Sequence, residues 1–287
     1  MSLKKILFAS DLSERAARAG RRAVQLATDA GAELEALHVV EGAFPSAARL
    51  GGGGGEPADL VRRAAEDELQ ESTPDFVAGV RVVFGNVVGE LVRAADKDGV
   101  DLVTIGAHGR QFIKDWLVGT TAEQLVRHTQ APTLVVRNDP AGPYRRIVVA
   151  TDFSECAGAA LARAADWFGT GPLQVVHVLD TGPLERMRSA GVDELLVEKY
   201  YGELSDEAGE QLRAFVEQAG IALDDGQLEV RAGYPADTLH QAVDQLKPDL
   251  VVLGNHGRGR WGGLLLGSVA TRLLHELDTD VLLVRSD

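Results

Sequence analysis

Short apolar runs recur along this chain at 5–9, 34–40, 80–84, 101–105 and 132–136, and again at 146–150, 173–179, 227–231, 249–253 and 280–284. Each is rich in Val, Ile and Leu and is continuous rather than alternating, the pattern of a strand buried on both faces. Between them the apolar positions take helical spacing. This holds from Ala16 to Ala30 and from Glu56 to Asp75, then from Ala157 to Phe168 and from Asp193 to Gln218. Strands alternating with helices of this length predict βαβ units and a doubly wound α/β fold built on parallel sheets.

The two sets of runs are copies of one another. Lys4-Lys5-Ile6-Leu7-Phe8-Ala9-Ser10-Asp11-Leu12-Ser13-Glu14 returns as Arg145-Arg146-Ile147-Val148-Val149-Ala150-Thr151-Asp152-Phe153-Ser154-Glu155. Leu37-His38-Val39 returns as Val176-His177-Val178. The run from Asp101 to Arg110 returns from Asp249 to Arg258 with seven of ten positions identical. Similar segments in the same order mark a duplication. The expected domains are 1–139 and 144–287, and the turn-rich stretch from Asn138 to Pro143 joins them.

Composition narrows the partners. A chain of 287 residues suits two domains, and 45% hydrophobic with 25% charged residues is an ordinary globular balance. The formal charge of −14 repels nucleic acid and anionic membranes, so neither is an expected partner, and a polyphosphate must be captured by local donors. The single cysteine, Cys156, allows no internal disulfide and reads as a packing residue in a reducing, cytoplasmic setting. No apolar run approaches the ~20 residues of a membrane helix, so no membrane insertion is expected. The glycine run Gly51 to Gly55 predicts a flexible surface loop, with a lid over the first site as the sharper reading; 181–193 replaces it in the second copy.

After the fourth strand each copy carries a glycine pattern of unusual spacing, Gly106-x2-Gly109-x9-Gly119-Thr120 and Gly254-x2-Gly257-x9-Gly267-Ser268. The first two glycines let the backbone turn tightly and approach a ligand. The last glycine and its hydroxyl neighbour open a helix, Thr121 to Thr129 or Val269 to Glu276, whose N-terminal N–H groups and dipole suit phosphate oxygens. Ser or Thr at that point either caps the helix or meets a phosphate. Glycine loops with hydroxyl caps also occur in turns that bind nothing, but two instances at identical spacing favour binding. No Walker-type Gly-x4-Gly-Lys-Ser/Thr is present. Arg110 and Arg258, with Arg260, are the nearest cations for phosphate charge. His108 and His256 sit in the glycine loop as turn or phosphate contacts, whereas His38 and His177, inside apolar runs, read as satisfied core histidines.

The glycine signature, the acid closing strand one and the His-Val closing strand two resemble the ATP-binding class of universal stress proteins, over nearly the whole chain. The resemblance implies two five-stranded parallel, Rossmann-like (adenine nucleotide alpha hydrolase-like) domains. It implies ATP, with or without magnesium, as the ligand. Asp11 and Asp152, which as residues would equally serve as helix-entry caps, would then bond ribose, and Val39 and Val178 would meet adenine through their backbones. Gly106, Gly109, Gly119 and Thr120 would hold sugar and phosphates in the first copy; Gly254, Gly257, Gly267, Ser268 and Val269 would do so in the second. It also implies pairing through the final strands, either as an internal pseudo-dimer or in a homodimer. The first copy departs from the pattern, with Thr121 in place of Val269 and with Lys114, Asp115 and Trp116 where the second has Gly262, Gly263 and Leu264. Binding is therefore expected chiefly in the second.

Phosphoryl transfer needs metal ligands and a residue that orients the attacking water. The loops offer no such pair, so no catalytic residue is assigned. The expected function is a nucleotide-dependent regulator or sensor in stress, with unidentified protein partners. The alternatives are a slow ATPase and a protein in which one copy holds a lipid-like ligand.

Overall fold

A computed structural model describes residues 2–41, 57–72, 79–107, 119–256 and 266–286. The chain divides into two compact units, Ser2–Pro143 and Tyr144–Asp287. The first runs β1 (Lys5–Ser10), α1 (Glu14–Ala30), β2 (Glu33–Glu41), α2 (Pro57–Ser72), β3 (Gly79–Gly85), α3 (Val87–Lys97), β4 (Leu102–Gly106), α4 (Thr120–His128) and β5 (Thr133–Val136). The second runs β6 (Ile147–Thr151), α5 (Glu155–Phe168), β7 (Leu173–Asp180), α6 (Gly182–Ser189), α7 (Glu194–Gln218), β8 (Leu228–Gly233), α8 (Pro235–Leu246), β9 (Leu250–Gly254), α9 (Ser268–Glu276) and β10 (Asp280–Val284).

Strand order is β3-β2-β1-β4-β5 in the first unit and β8-β7-β6-β9-β10 in the second. Neighbouring strands within each unit are parallel. The first strand of each unit is therefore central. The chain winds outward on one side of it, then crosses back to the other, so winding reverses between β1 and β4 and between β6 and β9. Such a reversal splays the two connections apart and leaves a crevice beyond the carboxyl ends of the strands.

The unbroken apolar runs are explained by burial on both faces. Ile6, Leu7 and Phe8 of β1 have no exposure, nor have Leu102 and Val103 of β4. Burying each such side chain contributes roughly 1.5–3 kcal/mol. The helices present one small-residue face to the sheet. On α1 this face includes Ala16, Ala19, Ala23 and Leu26, and on α5 it includes Ala157, Ala160, Leu161 and Ala164. Ser13 begins α1 by accepting the Ala16 N–H, and Gly31, at φ +64°, ends it in the left-handed conformation that glycine adopts without strain.

The repeated aspartate ahead of the fourth strand has a structural task. Asp101 Oδ2 accepts the backbone N–H groups of Lys4 and Lys5 at 2.8 and 2.9 Å. Asp249 Oδ2 does the same for Arg145 and Arg146 at 2.9 and 3.1 Å. Each carboxylate thereby fixes the start of one central strand against the other. Segment 181–193, read as a replacement for the glycine loop, contains α6, which anchors itself through Leu184 at 1% exposure. The Gly51 to Gly55 run lies outside the described residues.

Candidate functional site

The same turn closes the first strand in both units. Ser10 Oγ accepts the Leu12 N–H and Thr151 Oγ1 accepts the Phe153 N–H, at 3.1 and 2.9 Å. Asp11 Oδ1 then accepts from Ser13 N, and Asp152 Oδ1 from Ser154 N, both at 3.0 Å. These bonds hold Leu12 and Phe153 at φ +59° and +62°, a left-handed conformation that costs a residue with a Cβ roughly 1–2 kcal/mol. The helix cap is the serine, not the aspartate: Ser154 Oγ accepts from Ala157 N at 3.2 Å as Ser13 Oγ does from Ala16 N. The aspartate instead shapes the turn that delivers the serine.

The core histidines lock this turn to the second strand. His38 Nδ1 lies 2.9 Å from Ser10 O, and His177 Nδ1 lies 2.9 Å from Thr151 O. A carbonyl only accepts, so the proton sits on Nδ1 in both rings. His177 also stacks on Phe153 with ring centroids 4.2 Å apart, and Phe153 meets Phe215 of α7 edge-on at 5.6 Å.

In the second unit a cavity of about 540 Å³ opens at the reversal point. Ala150, Thr151 and Asp152 line it from the end of β6, Val178 from β7, and Leu253, Gly254 and His256 from the end of β9. Leu266, Gly267, Ser268, Val269 and Ala270 contribute the wall at the start of α9. Seven residues singled out in the sequence, Asp152, Val178, Gly254, His256, Gly267, Ser268 and Val269, thus meet at one cavity. Pro235 and Leu239 of α8 and Ala157 of α5 also line it. None of these three belongs to the glycine signature; the proline at the start of α8 is the one local signal of that wall. Gly257 and Arg258, with Arg260, lie outside the described residues.

Two of the glycines have tasks within the fold itself. A Cβ on Gly254 would sit 2.9 Å from Ala157 N and Cys156 C and 3.0 Å from Cys156 Cβ. This glycine therefore admits the backbone of α5 against the sheet, rather than only a ligand. Cys156 is buried in that contact, its Sγ 3.3 Å from Ser286 Oγ. Gly267 is itself the N-cap of α9, at φ −58° and with no side-chain cap bond, so Ser268 is the first helical residue and not the cap. Its own N–H donates to Asn255 O at 2.9 Å. The first turn of α9 thus meets the cavity without an acceptor from its cap residue.

His256 lines the cavity with Nε2 shielded from solvent and without a hydrogen-bond partner among the described residues. Burial, and then the positive charge of Arg285, hold its pKa below the ordinary histidine value. Ser154 Oγ donates to its carbonyl oxygen at 3.3 Å.

In the first unit Asp11, Val39 and Gly106 stand at the carboxyl ends of β1, β2 and β4, and Gly119 is the N-cap of α4, which begins at Thr120. The Gly119 N–H donates to Ala107 O at 2.7 Å, as in the second unit. His108, Gly109 and Arg110 lie outside the described residues, as do Lys114, Asp115 and Trp116. Among the described residues no three His, Cys, Asp or Glu side chains are grouped to hold a metal ion, and no helix is long and apolar enough to cross a membrane.

Fold and cavity together define a tandem α/β protein of the doubly wound class, with a crevice at the winding reversal of its second repeat. The sequence model of the universal stress protein family matches residues 2–137 and again residues 143–285, and the chain belongs to that family. A universal stress protein of Mycobacterium tuberculosis H37Rv is 26% identical over 247 residues, covering 79% of this chain and 72% of its own length. A second from the same strain is 28% identical over 209 residues, covering 71% of this chain and 68% of its own. In fold, the crystal structure of a universal stress protein from Archaeoglobus fulgidus DSM 4304 is similar over 100% of both chains, with a TM-score of 0.67 at 18% identity.

Proposed function

We propose that the second repeat binds an adenine nucleotide, ATP with or without magnesium, and that the protein is a cytoplasmic, nucleotide-dependent regulator in the response to stress. The observation that carries this reading is the convergence of Asp152, Val178, Gly254, His256, Gly267 and Ser268 on one cavity of about 540 Å³, a volume within the range of small-molecule sites. Asp152 offers a carboxylate oxygen to ribose hydroxyls. The β7 backbone at Val178 and the apolar wall of Leu239 and Leu253 suit adenine. The start of α9 offers N–H groups and the positive end of its dipole to phosphates. Binding without efficient turnover follows from the donor set, because nothing among these residues orients an attacking water.

The test is calorimetric titration of ATP with magnesium into wild type, Gly267→Asp and Gly119→Asp, with released phosphate followed in parallel. Gly267 has φ −58° and ψ 148°, a conformation in which Asp is a favoured N-cap. Gly267→Asp should therefore fold as well as wild type while placing a carboxylate where phosphate would sit. Loss of binding in Gly267→Asp alone assigns the site to the second repeat, and loss shared with Gly119→Asp assigns one to each. Little phosphate released over hours supports the regulator. No ATP affinity in wild type, or full affinity in Gly267→Asp, refutes the reading.

A further inference from the structure

We propose that the outward face of α7 is a docking surface for a basic, amphipathic segment of a partner protein. The segment seats apolar side chains on Leu195, Leu196 and Tyr200, and lysine or arginine on the acids that follow them along the helix. This surface stands apart from the nucleotide cavity, since none of these residues lines it.

Large apolar side chains exposed singly are ordinary, whereas a contiguous group of them marks a contact surface. Among the described residues six large hydrophobic side chains are exposed, and four of the six fall within two turns of α7. Leu195 and Leu196 are 76% and 55% exposed, and Tyr200 and Tyr201 are 41% and 38%.

The fold does not call for them there. Helix α7 packs against β7 and β8 and buries Val197, Ala208, Leu212 and Val216. At exposed positions Glu, Lys or Gln would serve the helix about as well as leucine and better than tyrosine. Helix α7 has 25 residues, where α2, at the same place in the first repeat, has 16. Counted back from the helix ends that lead to β8 and β3, the added length is 194–202, and it carries all four side chains. These added turns are held in place. Asp193 accepts the Leu195 N–H at 2.9 Å, and Arg188 of α6 donates to Glu194 at 3.0 Å. A partner therefore meets side chains already displayed on a formed helix, with little ordering left to do.

Charge selects that partner. Leu196, Tyr200, Glu203, Glu207 and Glu210 succeed one another at spacings of four, three, four and three, which sets them on one face. All five are exposed. The face is thus apolar in its first turns and acidic in the next. Helix α7 as a whole holds seven acids against two bases. Of the bases, Arg213 is turned to Asp225 at 3.4 Å, and Lys199 lies 3.8 Å from Glu203 in a pair open to solvent on both sides. Such a pair contributes little and yields readily to an incoming cation. Glu207 accepts from the neutral Gln211 Nε2 at 2.9 Å. Lysine or arginine arriving at these acids gains charge-assisted hydrogen bonds. The same field turns away nucleic acid, anionic lipid and a second copy of the chain, which brings the same acids and a formal charge of −14.

The experiment selects phage-displayed random peptides of about 20 residues, long enough to cover this face, on the full-length protein and on the double variant Leu196→Ser, Tyr200→Ser. A peptide enriched on wild type is then synthesised and titrated by calorimetry into both proteins and into the triple variant Glu203→Gln, Glu207→Gln, Glu210→Gln. The replaced side chains are exposed, so the urea midpoints of both variants should match wild type. Wild type should enrich peptides with an excess of Lys and Arg beside apolar residues at helical spacing. Affinity should fall on the order of tenfold or more in the double variant. It should fall several-fold in the triple variant at low salt, and that second loss should vanish at high salt. No enrichment, enriched peptides no more basic than the starting library, or an affinity indifferent to either variant each overturns the proposal. So does self-association of wild type in sedimentation, or its binding to phosphatidylcholine vesicles, that the double variant abolishes, because the occupant is then a second copy or a lipid surface.

Discussion

Thr104, in the middle of β4, has no solvent exposure, and its Oγ1 has no hydrogen-bond partner among the described residues. Its register neighbours are Phe8 of β1 and Leu134 of β5, so the hydroxyl is surrounded by apolar side chains. The equivalent residue of the second repeat is Val252, also unexposed and set between Val149 and Leu282. Thr104→Val replaces the hydroxyl with a methyl of nearly the same volume. A hydroxyl buried without a partner costs about 1–3 kcal/mol in proteins, and the added methyl opens no cavity. The variant should therefore be more stable by about 1–2 kcal/mol. In urea, at a slope of roughly 2 kcal/mol/M, that moves the midpoint up by about 0.5–1 M with the slope unchanged. The reciprocal change, Val252→Thr, places a hydroxyl in an equivalent apolar setting and should lower stability by a similar amount. Amide exchange along β4 and β9 assigns each effect to its own repeat. A Thr104→Val variant that is unchanged or weaker refutes the reasoning, since it would mean that water or a mobile neighbour satisfies the hydroxyl.

Three further outcomes follow from the same contacts. Gly254→Ala puts a Cβ 2.9 Å from the Ala157 N and Cys156 C backbone atoms, and should destabilise the second repeat by about 1–3 kcal/mol through overpacking. The obstacle is mainly backbone, so Cys156→Gly should not rescue it in the double variant. Tyr144→Phe removes a hydroxyl that donates to the buried carboxylate of Asp280 at 2.6 Å. It should cost about 1.5–3 kcal/mol by urea unfolding, and an unchanged midpoint would dismiss that bond. Ser13→Ala and Ser154→Ala each delete a helix cap worth about 1 kcal/mol. Ser154 also holds the His256 carbonyl beside the cavity, so calorimetry should find weaker nucleotide binding in Ser154→Ala.

Buried strands are the part of this fold that a sequence displays most openly. A strand covered on both faces must be apolar at every position, and Ile6 to Ala9 or Val281 to Val284 cannot be read otherwise. Helices α1, α5 and α7 likewise announce themselves, because Ser13, Ser154 and Asp193 cap long stretches of regular apolar spacing. Helix α3 is quieter. It opens on Val87, Val88 and Gly89, all poor helix formers, and depends on the Asn86 cap, which accepts from Gly89 N at 2.9 Å. In α6 a single buried leucine, Leu184, replaces periodicity, so 181–193 reads as loop. At the site, the residues of the glycine signature could be read from spacing alone. The positive φ of Phe153 could not, because nothing in an aromatic side chain signals it; it is imposed by hydrogen bonds that Thr151 and Asp152 accept from the N–H groups of Phe153 and Ser154. The α8 wall was equally hidden, since Pro235 and Leu239 reach the cavity only through the crossover from β8.

Recurrence between the repeats does not by itself point to a ligand. Asp101 and Asp249 recur because each gathers two N–H groups at the head of a central strand, and Ser13 and Ser154 recur because each caps a helix. His38 and His177 recur because each ties a strand end to its neighbour. All of these would be retained by a scaffold that bound nothing. Gly119 and Gly267 differ. Their φ values of −61° and −58° are open to any residue, and both are N-caps without a side-chain acceptor. Ser, Asp or Asn there would stabilise the helix better than glycine, so in both repeats a cap of lower stability stands at the start of α4 and α9. Neither the backbone conformation nor the cap position calls for glycine there. The proposed nucleotide would, because phosphate oxygens need the N–H groups that a capping side chain would take, and the space that side chain would fill.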